Sequence, residues 1–326
     1  MNTLVSNAQN AFIKKRCIHD NIIYAQRVIQ LLHKKKKPTL FIKLDISKAF
    51  DSIGWSFLLE VLENLGYSTK WRDWISAMLG TSTSRVLIND QPSKEIRHAR
   101  GLRQGDPLSP LLFILAIDPL HRIIEVAANR DILKPILPKA ANLRCSLYAD
   151  DAAIFADPSS LELEHLHRIL AFFGDCSGLK INISKTEIFP IRMVDSAVTQ
   201  LLQNFPGKIA KFPGKYLGLP LHIRKLCKVE VQPLIDKIGA RLPGWKGRLL
   251  SAAGRETLVK TVLSAQPIYR MTAFPEQKWL INRIDRLRRS FSGGEKCLTK
   301  YTGVIHYKLA NHMSPQNKRG SGDIRP

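Results

Sequence analysis

The chain has 326 residues, of which 44% are hydrophobic and 24% charged, a composition that fits a globular protein and excludes wholesale disorder. Fifty Lys and Arg against 27 Asp and Glu leave a formal net charge of +23, which indicates a polyanionic partner such as a nucleic acid. Because the sequence has no membrane-length apolar run, no secretory signal pattern and no Cys-x-x-Cys pair, we expect an intracellular protein without a membrane span, a disulfide framework or a zinc site.

The first hundred residues predict helices and strands in alternation. In chain order they are a helix over 20–33, a charged loop over 34–38, a strand over 39–46, helices over 56–65 and 70–79, and a hairpin of strands 84–89 and 94–99 around Asp90-Gln91-Pro92.

The remainder predicts an α+β core followed by a basic, mostly helical region. The core elements are an apolar helix from Pro107 to about residue 129, strands over 143–149 and 152–156 joined by Asp150-Asp151, a helix over 160–176 and a strand over 179–183. Helices dominate beyond Pro190, and the tail from residue 292 has too little apolar periodicity for a structural prediction.

Carboxylates stand next to apolar strands at two places. Asp45 ends the run over 41–44, and Asp150-Asp151 lies at the tip of a predicted hairpin. A carboxylate beside a buried sheet is costly unless a cation neutralises it. Either position alone is typical of a turn residue, whereas together they indicate Mg²⁺ ligands for phosphoryl transfer.

A loop with three features of an anion site lies between the two acidic positions. Residues 100–110 contain two Arg, two Gly and a Gln, and they lead through Pro107 into a helix. Glycine permits close backbone approach, and a helix N-terminus favours anions. By itself the loop also fits an ordinary connection between a hairpin and a helix.

These segments resemble the motifs of reverse transcriptases, in particular those of non-LTR (LINE-type) retrotransposons of plants. The matching segments are LDISKAFDSI (44–53), GLRQGDPLSP (101–110), YADD (148–151) and SGLKINISKT (177–186), together with QNAFIKKR (9–16), YLGLPL (216–221) and WKGRLLSAAGR (245–255). The resemblance covers about residues 7–290.

The resemblance implies RNA-directed DNA polymerisation with two Mg²⁺ ions, for which Mn²⁺ could substitute, on an RNA template with a DNA primer and deoxynucleoside triphosphates. Asp45, Asp150 and Asp151 match the metal-binding aspartates, and Lys185 matches the lysine that protonates the leaving pyrophosphate. Phe50 matches the aromatic gate against a 2′-hydroxyl, and nucleotide contacts fall on Arg103, Gln104 and Gly105. The basic residues expected to contact nucleic acid are Lys246, Arg248, Arg255, Arg286 and Arg289.

The same resemblance implies an α+β right-hand polymerase fold. Its parts would be partial fingers (1–38), a palm (39–190) with an inserted fingers segment (about 67–100), a helical thumb or connection (191–291) and a degenerate, poorly ordered tail (292–326). It also implies a sequence truncated at both ends and a nuclear location, although we identify no targeting signal, and nothing indicates a protein partner.

Several alternatives stay open at this point. The chain could be a retroelement remnant that only binds nucleic acid, or a maturase or telomerase-like polymerase. Phe50 could be a core residue that follows a strand, and Lys185 an exposed lysine without a catalytic role.

Overall fold

The structure is a computed structural model that describes residues 1, 3–137, 144–202, 205, 207–240 and 249–292. The chain divides into two compact units, Met1–Ile223 and Arg224–Pro326. The predictions for Lys246, Arg248 and the tail past residue 292 fall outside the described residues.

The first unit combines helices and strands. Its helices are α1 (Ile18–Lys34), α2 (Ala49–Ser52), α3 (Trp55–Asn64), α4 (Thr69–Gly80), α5 (Ser109–Asn129), α6 (Ser160–Ser177) and α7 (Asp195–Leu201). Its strands are β1 (Thr39–Leu44), β2 (Thr83–Ser84), β3 (Leu87–Ile88), β4 (Gln91–Pro92), β5 (Ile96–Arg97), β6 (Cys145–Tyr148), β7 (Asp151–Ala156), β8 (Glu187–Ile191), β9 (Lys208–Ile209), β10 (Gly214–Tyr216) and β11 (Leu219–Leu221). The predicted α+β class is confirmed.

The main sheet has five strands in the order β6-β7-β1-β8-β9. All neighbours are antiparallel except β8 and β9. The sheet therefore continues past residue 190, where the palm was predicted to end, and that domain boundary stays a prediction.

The two faces of the sheet have different coverings, because side chains alternate along each strand. One face carries Ile42, Leu44 and Ile154, which join a single buried core with residues of α3, α5 and α6. The other face carries Phe41, whose ring centroid lies 5.1 Å from that of Phe155 and 5.9 Å from that of Tyr216 on β10. Lys43 and Asp151 also belong to this second face, by their register and alternation.

Local turn chemistry shifts two predicted elements. The long helix begins at Ser109 rather than Pro107, because the Asp106 carboxylate accepts a hydrogen bond of 2.8 Å from the amide of Leu108 and holds a turn before the helix. The β3–β4 hairpin turns at Asn89-Asp90, which have positive φ, so Gln91-Pro92 pairs in a strand.

The predicted strand over 179–183 was also wrong. Ile181 forms an isolated bridge with Ile46, and Ile183–Lys185 is a short 3-10 helix. The Asn182 side chain accepts from the amide of Lys185, and this bond favours the turn over an extended strand.

The second unit is helical in its described part. Its elements are α8 (Lys228–Ala240), α9 (Ala252–Leu258), a π-helical turn (Val259–Leu263), α10 (Ala265–Ala273) and α11 (Lys278–Ser292). Its buried core joins Val231 and Ile235 of α8 to Leu263 and to Leu280 and Ile284 of α11. Among the described residues of either unit, no helix is long and apolar enough to cross a membrane.

Candidate active site

Asp45 lies at the end of β1, at the same edge of the sheet as the start of β7. The last registered pair between these strands is Leu44 with Ala152, so the next pair in that register is Asp45 with Asp151. Opposed residues of an antiparallel pair share a face of the sheet. The backbone of Asp45 is fixed from the other side, since its carbonyl oxygen accepts a hydrogen bond of 2.7 Å from the amide of Asn182.

Asp150 occupies the turn between β6 and β7, and Asp151 is the first residue of β7. The preceding Ala149 has a φ of 53°, a left-handed conformation that is strained for a residue with a Cβ. Asp150 is exposed, whereas Asp151 is half-buried. Burial raises the pKa of the Asp151 carboxyl, and the neighbouring Asp150 charge raises it further.

Lys43 is a charged neighbour of Asp151 that the sequence analysis did not single out. Its ammonium lies 3.2 Å from Glu187 Oε2 across the β1–β8 pair, and its positive charge works against the increase in the Asp151 pKa. Strand alternation could have identified it, because residues 43 and 45 face the same side of β1. This lysine partly offsets the negative charge of the site.

The donor chemistry of the site fits a divalent metal. Asp45, Asp150 and Asp151 supply only oxygen donors, the donor type that Mg²⁺ prefers. Within the described ranges, no three His, Cys, Asp or Glu side chains converge into a group that could hold a metal ion. Mg²⁺ does not need such a group, because it keeps several waters and binds through one or two carboxylates and substrate phosphates.

Phe50 lies on the short helix α2, five residues after Asp45. Its half-buried ring stacks on Phe113 of α5, with centroids 4.5 Å apart and planes 15° apart. The ring is therefore neither fully in the core nor free in solvent. The stacking on Phe113 fixes the ring on the short helix that follows Asp45.

The glycine-containing loop is attached to the backbone around α2. The amide of Leu102 donates a hydrogen bond of 2.7 Å to the carbonyl of Phe50, and the amide of Gly101 donates one of 2.8 Å to the carbonyl of Ile53. Beyond this anchor the predicted nucleotide contacts Arg103, Gln104 and Gly105 are exposed. Gly105 has a φ of 91° and no atom within 4 Å of its Cβ position. Glycine is therefore favoured there by the left-handed backbone conformation and not by a lack of space for a side chain.

Lys185 ends the 3-10 helix that follows Asn182, and its side chain is exposed. Since Asn182 bonds to the backbone of Asp45, the same segment connects the lysine to the carboxylate edge of the sheet. The amide of Lys185 bonds to the Asn182 side chain at 3.2 Å, which fixes the backbone and leaves the ammonium exposed to solvent.

The described basic candidates belong to the second unit. Arg286 and Arg289 are exposed on α11, while Arg255 on α9 is half-buried. Arg288 differs from its neighbours, because it is buried and its Nη1 lies 2.9 Å from Asp285 Oδ1. The exposed arginines lie three residues apart, a spacing that places them on one side of the helix.

Comparison with known proteins identifies the family of the first unit. The family described as "Reverse transcriptase (RNA-dependent DNA polymerase)" matches residues 1–221. Over 87% of its length the chain is 26% identical to a Pol polyprotein of the retrotransposable element R2DM from Drosophila melanogaster, and over 89% it is 27% identical to an R2 Pol polyprotein from Popillia japonica. A transposon TX1 protein of Xenopus laevis is 25% identical over 85% of the chain.

The chain spans 21–48% of the length of these three relatives. Among solved structures, a telomerase from Candida albicans with a fragment of telomeric RNA aligns with 94% of the chain and 55% of its own, at 11% identity and a TM-score of 0.47. A telomerase from Candida tropicalis aligns with 58% of the chain and 37% of its own, at 16% identity and a TM-score of 0.41. These scores are too low to assign a fold by themselves.

Proposed function

Since this chain belongs to the reverse transcriptase family, we propose that it catalyses RNA-directed DNA synthesis, the addition of deoxynucleotides to a DNA primer on an RNA template. The observation that carries the proposal is the placement of Asp45 and Asp151 at one edge of the sheet, with Asp150 beside them, in a chain whose residues 1–221 match that family. The five-stranded sheet and the helices on its apolar face then correspond to the palm of a right-hand polymerase.

Asp45, Asp150 and Asp151 would hold the divalent ions on which the family depends. We propose two Mg²⁺ ions, with Mn²⁺ as a substitute. When bound, such ions stabilise charge on the attacking and leaving oxygens of the phosphoryl transfer. The carboxylates themselves hold negative charge at the sheet edge, and Lys43 moderates it through its position between Glu187 and Asp151.

The remaining residues would select and orient the nucleotide. Phe50, supported by Phe113, would exclude a ribose 2′-hydroxyl, and the exposed Gln104 with Arg103 would contact the base-pairing nucleotide and its phosphates. Lys185 would donate a proton to the oxygen of the departing pyrophosphate, where a cation offsets developing charge. The attacking group is the primer 3′-hydroxyl.

Nucleic acid would be held through phosphate contacts. The net charge of +23 and the exposed Arg286 and Arg289 of α11 support binding of a polyanion. An RNA–DNA duplex is read mainly by its shape and its backbone rather than by sequence.

Primer extension tests the proposal. The full chain is incubated with a 5′-labelled DNA primer annealed to RNA, deoxynucleoside triphosphates and Mg²⁺, with EDTA in a parallel reaction. We expect extension products that depend on both the RNA template and the divalent ion. Stable binding of the duplex with no metal-dependent extension under any of these conditions would overturn the proposal.

A further inference from the structure

The segment before α1 forms an additional edge beside the hairpin that carries Asp150. Gln9 pairs with Leu147 of β6 in an isolated parallel bridge. The amide of Asn10 donates to the carbonyl of Leu147 at 3.1 Å, and the amide of Leu147 donates to the carbonyl of Ala8 at 2.9 Å. Residues separated by almost 140 positions in sequence are therefore backbone neighbours.

The Gln9 side chain extends this edge to the turn itself. Its Oε1 accepts a hydrogen bond of 3.1 Å from the amide of Ala149 and another of 2.9 Å from the amide of Ala11. Two amide donors meet at this one atom, so it must be the oxygen of the side-chain amide. Gln9 is fully buried, with 0% of its surface exposed.

Ala149 is a residue whose amide needs such a partner. It has a left-handed φ of 53°, is buried, and immediately precedes Asp150. A buried backbone amide without an acceptor costs roughly 1–3 kcal/mol. The side chain of residue 9 thus stabilises a strained conformation that determines where the next two carboxylates lie.

Two polar side chains hold the segment around Gln9: Arg16 contacts the carbonyl of Gln9 itself, and Asn21 contacts the side chain of the next residue, Asn10. The Arg16 guanidinium donates to the carbonyl of Gln9 and to that of Ser6, each at 2.5 Å. On the other side, the Asn10 Nδ2 donates to Asn21 Oδ1 at 2.7 Å, and the Asn21 Nδ2 donates to the carbonyl of Leu147 at 2.9 Å. These bonds hold the segment to itself and to β6. They therefore keep the Gln9 side chain in a fixed position next to the β6–β7 turn.

We propose that Gln9 is a positioning residue, whose Oε1 holds the Ala149 amide so that Asp150 and Asp151 remain at the sheet edge beside Asp45. The proposal rests on the proposed function for its effect on catalysis, whereas the positioning itself is independent of it. In this proposal Gln9 acts through the β6–β7 turn, by its bond to the amide of Ala149.

Hydrogen–deuterium exchange of the full chain tests the positioning without any activity. In Gln9→Met, which keeps the size of the side chain but has no acceptor oxygen, we expect the amides of Ala149 and Asp150 to exchange about tenfold faster, the effect of losing one hydrogen bond.

Gln26 offers a matched control, because it is another buried glutamine that holds a distant backbone. Its Oε1 accepts from the amide of His222 at 2.9 Å, and its Nε2 donates to the carbonyl of the same residue at 2.6 Å. Gln26→Met should speed exchange around residue 222 and leave the 145–151 hairpin unchanged. Unchanged exchange at Ala149 and Asp150 in folded Gln9→Met, or equal acceleration there in Gln26→Met, would overturn the proposal.

Kinetics separate a positioning role from a general loss of structure. For Gln9→Met we expect kcat for nucleotide addition to fall about tenfold or more while the Kd for primer–template stays the same. A parallel loss of kcat and duplex binding would contradict positioning. If even the unmodified chain fails to extend primers, the proposed function fails, and the exchange measurement still decides the role of Gln9.

Discussion

The indole Nε1 of Trp55 donates a hydrogen bond of 2.7 Å to the carbonyl oxygen of Gly101. This bond joins the first turn of α3 to the glycine-containing loop, alongside the backbone bonds that Gly101 and Leu102 make to Ile53 and Phe50. The predicted sugar gate and the predicted nucleotide loop are therefore parts of one connected structure, although about fifty residues separate them in sequence.

Replacing Trp55 with Phe should lower the free energy of unfolding by about 1 kcal/mol, because the carbonyl of Gly101 loses its side-chain donor. Chemical denaturation of the full chain measures the change. Trp74→Phe is the control, since Trp74 is 60% exposed and its loss should change stability by less than about 0.5 kcal/mol. Equal destabilisation by the two variants would show that the Trp55–Gly101 bond has no special role.

A second prediction concerns Gly178, which ends α6. A Cβ there would lie 2.2 Å from the carbonyl oxygen of Ser52, and its φ is 80°. Gly178→Ala should therefore destabilise the protein by about 3 kcal/mol, from overpacking and left-handed strain together.

Gly66 separates these two causes. It has nearly the same φ, 83°, but no atom within 4 Å of its Cβ position. Gly66→Ala should cost only about 1 kcal/mol, measured in the same denaturation series. If both substitutions cost the same, the close approach of Gly178 to the last residue of α2 does not contribute.

Sugar selection gives a third prediction. Phe50→Val should remove the proposed aromatic gate and raise the ratio of kcat/KM for ribonucleotides to that for deoxynucleotides by about tenfold or more. Phe57→Val is the control, because Phe57 is also half-buried but makes its ring contact with Phe173, at a centroid distance of 6.2 Å. An unchanged ratio in Phe50→Val would show that Phe50 serves only to pack α2 against α5.

The salt dependence of duplex binding tests the basic face of α11. The double variant Arg286→Gln, Arg289→Gln should reduce the magnitude of the slope of log K against log salt by about 2, since about one phosphate contact is lost for each arginine. Arg130→Gln, Arg168→Gln removes the same charge from exposed positions at the end of α5 and on α6, the helices of the apolar face, and should leave the slope unchanged. Equal slopes in the two double variants would exclude α11 as a phosphate-binding face.

The sequence predicted those parts of the fold that depend on local patterns. Apolar periodicity identified α1, α3, α4 and α6 to within two residues, and the apolar runs around Asp45 and Asp150-Asp151 identified β1 and the β6–β7 hairpin. The predicted strand over 179–183 was wrong because one side chain, Asn182, captures a backbone amide and turns the chain. The choice between a strand and a turn depends there on individual hydrogen bonds, which apolar periodicity cannot predict.

The placement of Asp45, Asp150 and Asp151 at one edge of the sheet was predictable, because motif and strand pattern coincide there, whereas their role stays a prediction. The contact of Gln9 with Ala149 could not be predicted in this way, because it joins positions 140 residues apart through a side chain and a strained backbone amide. Lys43 was predictable only in part. Strand alternation predicts the face of the sheet on which it lies, whereas its partner Glu187 follows only from the register of β8.

The carboxylate edge of the sheet is the centre of this account, and single-nucleotide addition by Asp150→Asn tests it most directly. The rate with Mg²⁺ should fall at least about a hundredfold, while the Kd for the RNA–DNA duplex should stay within about twofold, because the carboxylate serves the metals and the basic residues serve the backbone. Asp175→Asn, at an exposed position of α6, should retain the full rate. Extension by Asp150→Asn at the rate of the unmodified chain would contradict the assignment of the metal-binding carboxylates.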